Sequence, residues 1–390
     1  VERELDRIHQ LERHSNTVEL DRIRDASPNA IPSPLMRVLW RLMLSGRVRS
    51  NNSNRDLYRF RDRVLRDGMT ATARWELRAI LAPMIAIRER IPWNFSTVPV
   101  DLPTRLDQLV DWDLVLASSD ARGCLMDLDD PDWRRALPAL LDEFETLLRD
   151  ALDLLLEIQH IDAHNDDSHW ALPSIVEHEQ NQGFVEWATL IELVREAWLA
   201  AHAEEPRQAR KVAHRWFEIP YPTFKRLAIF AASQDDGIAP EDWVAWLVAD
   251  SARWLWSLET QREAIRLIVL RGSTLAGSSL VRLESAILAG PPRHLYAASI
   301  DEDSWNSLND RWVWLRLAKL KLSGATLSDA GNARYARLSS LNPRWKIAEN
   351  QSDEFSSWMG ASGESEDDGS DSVDRAPRKR AELVVWLQRS

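Results

Sequence analysis

The chain is poor in cysteine and lysine and has no long apolar run. It has 390 residues, one of them Cys and six of them Lys. Cys124 alone cannot build an internal disulfide framework or a multi-cysteine zinc site. No stretch reaches the roughly 18 apolar residues of a membrane span. No Arg- or Lys-flanked apolar run opens the chain, so no signal peptide is expected and the chain reads as cytoplasmic. It begins at Val1 with a charged helical pattern, which reads as a segment cut from a longer polypeptide.

The scarcity of lysine excludes specific chemistries. No Lys follows a Gly, so there is no Walker A phosphate loop. No Asp or Glu stands two residues before a Lys, so the acid-x-Lys nuclease core is missing. G-x-G-x-x-G, G-x-S-x-G and H-E-x-x-H are also absent. The chain is therefore expected to be non-enzymatic, with no cofactor. A net charge of −12 argues against a surface that attracts nucleic acid as a whole.

Tryptophan is abundant, at 19 residues. Each can wedge between helices and needs one partner for its N–H. Helical periodicity dominates. In 137–158, Leu137, Leu140, Leu141, Phe144, Leu147, Leu148, Ala151, Leu152 and Leu155 recur at three and four, with acids opposite. Asp130-Pro131-Asp132 upstream suits a helix start. The spacing predicts further helices over 183–203, 207–217, from Ala239-Pro240, 251–271, 279–289 and 303–323. No run of alternating strands or short hairpin signal stands out. The fold expected is all-α, an irregular helical-repeat, α-solenoid-like array. It divides into a helical lead-in (1–30), the scaffold (31–350), an acidic flexible loop (351–380) and a terminal amphipathic helix (381–390). Residues 361–376 carry six acids and, before Arg375, no base, the composition of a disordered loop.

Residues 214–233, HRWFEIPYPTFKRLAIFAAS, hold two prolines between helical stretches. Pro220 must end the first helix and Pro222 suits the first turn of the next. Phe224, Leu227, Ala228 and Ala231 then face inward and Tyr221 fills the corner. This reads as a joint between packed helices; the competing reading is the lip of a binding site.

Two clusters carry possible chemistry. In 158–170, His160 and His164 stand four apart with Asp162, Asp166, Asp167 and His169 nearby. Two imidazoles one helical turn apart can share a metal if a third ligand arrives, which keeps open a metal-dependent hydrolase; the bland reading is the polar end of the preceding helix. Residues 37–66 hold nine Arg against two acids. Arg55, Arg59 and Arg63 share one helix face, opposite Leu57, Phe60 and Val64, with Tyr58 adding an aromatic. Clustered Arg with aromatics is a footprint for phosphate or an acidic protein; the alternative is a solvated face paired with neighbouring acids.

Six segments, WATLIELVREAWLA (187–200), RWFEIPYPTFKRLAIFAAS (215–233), LESAILAGPPRHLY (283–296), WLRLAKLKLSG (314–324), DEFSSWMG (353–360) and APRKRAELVVWLQ (376–388), together resemble the helical region of large bacterial anti-phage defence proteins of the sirtuin-associated type. The likeness keeps their order over most of 150–390. In that family an NAD-consuming sirtuin-like domain precedes a large helical scaffold. This chain has no Gly-Ala-Gly-x-Ser and no His followed by Gly, so no residue here inherits the NAD chemistry. The resemblance implies a scaffold or sensor that meets a phage protein or restrains other domains of the same polypeptide. A second copy of the chain is a further open partner. The alternative is a free-standing adaptor that binds nucleic acid or an acidic protein through 37–66.

Overall fold

Proline opens five of the longer helices, because at the first helical position its missing N–H costs nothing. The computed structural model describes residues 7–8, 10–12, 17–26, 31, 33–49, 57–88, 106, 110–126, 130–181 and 185–358. The chain divides into two units, Val1–Ser356 and Ser357–Ser390, and every element below belongs to the first. Among the described residues its first bounded elements are α1 (Thr17–Ala26), α2 (Pro34–Leu44), α3 (Leu57–Asp67) and α4 (Ala71–Ile80), followed by strands β1 (Pro83–Arg88) and β2 (Asp111–Leu116). The next helices are α5 (Ala121–Leu125), α6 (Pro131–Glu157), the short α7 (Ser168–Ala171), α8 (Ala188–Glu204), α9 (Pro206–Glu218) and α10 (Pro222–Gln234). The last are α11 (Pro240–Leu247), α12 (Ala249–Trp256), α13 (Gln261–Arg271), α14 (Gly277–Ala289), α15 (Glu302–Leu322) and α16 (Asp329–Leu341). The fold class is all-α, as the periodicity predicts.

Helix α6 shows how sequence becomes packing. The Asp130 side chain accepts from the N–H groups of Asp132 and Trp133, both at 2.9 Å, which satisfies two of the unpaired donors at the helix start. The nine apolar residues predicted to form its stripe are all buried. That stripe packs on α8; α8 packs on α9, α9 on α10, α10 on α13, and α13 on α15. A second row runs α11, α14, α16. Several of these contacts join helices that are not adjacent in sequence, so the all-α array is irregular.

The 214–233 segment is a joint. Trp216 and Phe224 are fully buried. Tyr221 caps α10 in extended conformation, and its hydroxyl donates to Asp153. Helix α10 is buried continuously from Pro222 to Ala232, so every face is covered, beyond the one inward face that the spacing suggests. A helix covered all round lies at the centre of its array.

Two features differ from the sequence reading. First, β1 and β2 pair antiparallel, from Pro83 with Leu116 to Arg88 with Asp111. Val48 adds a parallel bridge to Ile85. The strands are separated by residues 89–110, so no short turn could announce them. Second, the helix expected over 251–271 is two. Ser257 is extended, and the Thr260 hydroxyl donates to the Trp254 carbonyl at 2.7 Å. Ser and Thr compete for the backbone in this way and end a helix that apolar spacing alone would continue.

The expected boundary at 351 also moves. Glu354 is buried and pairs with Arg262 of α13, and Asp353 pairs with Lys319 of α15 at 3.3 Å. This stretch is docked on the scaffold. The acidic run 361–376 and the terminal helix 381–390 lie outside the described residues.

Candidate functional site

The polar segment after α6 is built by its own side chains. The helix ends at Glu157, and Gln159 turns left-handed at φ 59°. Asp162 Oδ1 accepts from the N–H groups of His164 and Asn165 at 2.6 and 2.9 Å. Asn165 Oδ1 accepts from Asp167 N at 3.1 Å. Asp166 is fully buried. Its Oδ1 accepts from Ser168 N, while Oδ2 accepts from both the N–H and the hydroxyl of Thr223, at 2.6 and 2.7 Å. The acids of this segment therefore hold backbone, as Asx-type turns do.

This geometry settles where the two histidines stand. His160 and His164 lie beyond the end of α6, so a four-residue spacing no longer puts them on one helix face. His160 Nε2 lies 3.3 Å from Asp167 Oδ2, and its ring meets Trp112 edge-on at 4.8 Å. His164 is exposed. His169 pairs instead with Glu259, Nδ1 to Oε2 3.0 Å. Burial raises the Glu259 carboxyl above its ordinary range, partly opposed by the His169 contact. Among the described residues, no group of three or more His, Cys, Asp and Glu is placed to hold a metal ion.

A cavity of about 850 Å³ opens where β2, α7 and residues 185–187 come together. Trp112, His160, Asp167 and Trp170 line it, with Arg49 and Glu186. Arg49 Nη1 donates to the Leu116 carbonyl at 2.9 Å and to Glu186 at 3.0 Å, and Glu186 also accepts from Leu116 N. Arg88 pairs with Asp113 at 2.9 Å. In α7, Ser168 and Ala171 point into the core and Trp170 is left 63% exposed. The cleft is polar, acidic and aromatic. No spacing rule could assemble it from five separated segments. The one local signal was a tryptophan standing in a run of His, Asn and Asp.

The arginine-rich face is largely committed within the chain. Arg63 pairs with Glu76, Arg47 with Asp150, Arg49 with Glu186 and Arg66 with Asp67. Arg37 is buried against Glu12. Arg59 and Arg63 are exposed on α3, with Leu57, Phe60 and Val64 buried on the other side as expected. Arg55 lies outside the described residues.

Charges inside the scaffold join helix to helix. Arg226 of α10 donates to Glu263 of α13 and to the Leu172 carbonyl. Arg195 of α8 donates to the Ile175 carbonyl, whose own residue donates its N–H to Glu263. Arg122 of α5 makes a two-point contact with Glu192 of α8. Arg316 of α15 donates twice to the Leu255 carbonyl under the Trp256 ring, 4.1 Å away, and burial lowers its guanidinium to about 9. Lys225 lies over the Phe217 and Trp254 rings, and burial lowers it against the opposing charges of Asp250 and Glu218.

These features define a helical-array protein with an acidic aromatic cleft. Comparison with protein-family models, curated proteins and solved structures gave no match. No helix among the described residues is long and apolar enough to cross a membrane.

Proposed function

We propose that this chain is a non-catalytic helical scaffold and sensor module of a cytoplasmic bacterial anti-phage defence protein. It presents the cleft to a phage component and restrains an NAD-consuming effector domain carried elsewhere in the polypeptide. The observation that supports this reading is the use of buried charge. Arg226, Glu263, Arg195, Arg316 and Lys319 each tie one element to another. Such bonding holds packed helices in a discrete arrangement, which a sensor needs if a ligand is to favour one state over another. The resemblance over 150–390 supplies the defence setting. The adaptor reading has less support, because Arg47, Arg49, Arg63 and Arg66 already have acidic partners.

The test uses the native polypeptide in its own cell. Denaturing separation with an antibody to this segment should give a band well above 44.8 kDa. Phage infection should deplete NAD, and deleting this region should uncouple NAD loss from infection. A band at 44.8 kDa, or depletion indifferent to the deletion, defeats the proposal.

A further inference from the structure

We propose that the cleft is a docking site for a basic peptide segment of a partner protein, recognised through an arginine side chain. This rests on the cleft being the recognition surface of the scaffold.

Charge is the first argument. Five carboxylates line the cavity, those of Asp111, Asp113, Asp166, Asp167 and Glu186, against the two guanidiniums of Arg49 and Arg88. Arg49 is engaged by Glu186, and Arg88 by Asp113. Asp166 is engaged by Thr223 and Ser168. Asp111 and Asp167 remain in excess over the arginines, Asp167 with the His160 imidazole 3.3 Å from its Oδ2. A concave wall with excess negative charge concentrates field and attracts a cation; it repels a phosphate.

The aromatic wall is the second. Trp170 adds nothing to the core, since 63% of it is exposed. It stands on the same turn as Asp167, whose carbonyl accepts from Trp170 N at 3.0 Å. An exposed indole beside an acid offers a guanidinium both a π face and a carboxylate, and Trp is the strongest cation–π partner among the side chains. A two-point arginine–carboxylate contact adds direction.

Preorganisation is the third. Asp166 pins the turn to α10 through Thr223, so the backbone that carries Asp167 and Trp170 is held in place before any ligand arrives. A fixed site avoids the cost of ordering on binding. The cavity, about 850 Å³, has room for more than one peptide residue.

The experiment is calorimetric titration of the whole protein with a capped tri-arginine peptide, beside capped tri-glutamate and a single-stranded oligo-dT. Tri-arginine should bind and the other two should not. Asp111→Asn with Asp167→Asn should weaken it by about tenfold, and Trp170→Ala by about threefold or more. Trp170→Phe should restore part of the loss. The unfolding midpoint should stay near the parent's, because Asp111 and Trp170 are exposed and Asn tolerates the left-handed backbone of Asp167 (φ 55°). Asp142→Asn with Asp236→Asn removes the same charge outside the cleft and should leave affinity unchanged.

Absence of tri-arginine binding overturns the proposal. So does equal weakening by the control pair, which would show attraction to net charge alone, or preference for tri-glutamate or oligo-dT. If tri-arginine binds as expected but the cleft variants leave phage-triggered NAD loss intact, the ligand class stands and the sensor reading fails. If the variants abolish that loss yet tri-arginine does not bind, the ligand class fails and the sensor reading stands.

Discussion

Arg226 and Glu263 meet in a two-point contact out of reach of water. Nε lies 3.1 Å from Oε2 and Nη2 lies 3.0 Å from Oε1, with side-chain exposures of 0% and 3%. The pair joins α10 to α13, and the same carboxylate takes the N–H of Ile175. The segment that builds the cleft is thereby fastened to the array.

Breaking that pair leaves a buried charge alone. Arg226→Met should destabilise the protein by about 3–5 kcal/mol. The double variant Arg226→Met with Glu263→Leu should cost clearly less than the sum of the two single changes, because neither charge is then stranded. Chemical denaturation of the four proteins measures the coupling. Additive losses would mean that the two side chains do not act as a pair.

The joint between α9 and α10 should be equally sensitive. Trp216 and Phe224 are fully buried, and Trp216 Nε1 donates to Glu145 at 3.0 Å. Truncating either to Ala should cost about 3–5 kcal/mol. A near-zero shift in the unfolding midpoint for both would return 214–233 to the reading of an exposed lip.

Asp235 should govern part of the acid response. Burial alone would raise its carboxyl, but the hydrogen bond from Arg210, the Gly237 N–H, and the charges of Arg210 and His202 outweigh it and hold it below the ordinary 3.8. A depressed carboxylate contributes stability above its unfolded value and loses it as pH falls through the folded one. Stability followed from pH 5 downward should therefore fall more steeply in the parent than in Asp235→Asn. Parallel curves would remove Asp235 from that response.

Reversing charge at Arg55, Arg59 and Arg63 separates the scaffold reading from the adaptor reading. With all three changed to Glu, retention of duplex or single-stranded DNA should match the parent even near 50 mM salt, where phosphate contacts are strongest. Loss of the exposed Arg63–Glu76 pair should itself cost about 1 kcal/mol or less. Salt-sensitive DNA binding by the parent, abolished in the variant, would reinstate the Arg face as the functional surface.

Helix identity and the joint could be read directly from residues. The stripe from Leu137 to Leu155, the Asp130 cap and the Pro220–Pro222 break are signals that act over a few positions. They operate through the 3.6-residue period, the unpaired N–H groups of a helix start and the locked φ of proline. Folding cannot alter them, so the all-α array was legible. The break at Ser257–Thr260 was local too, yet apolar spacing outvoted it.

The sheet, the partners of the charges and the cleft depended on distant neighbours. Pairing Pro83 with Leu116 requires contact across an intervening segment. Whether Asp166 is a ligand or a strut depends on Thr223, which packing brings to it. His160 and His164 lost their helical relation once α6 ended at Glu157. Arg63 ceased to be a bare cation when Glu76 of the next helix came opposite. Burial and charge pairing are set by what surrounds a side chain in space. Residue order fixed the helices here, and their packing fixed which polar groups brace the scaffold and which face the cleft.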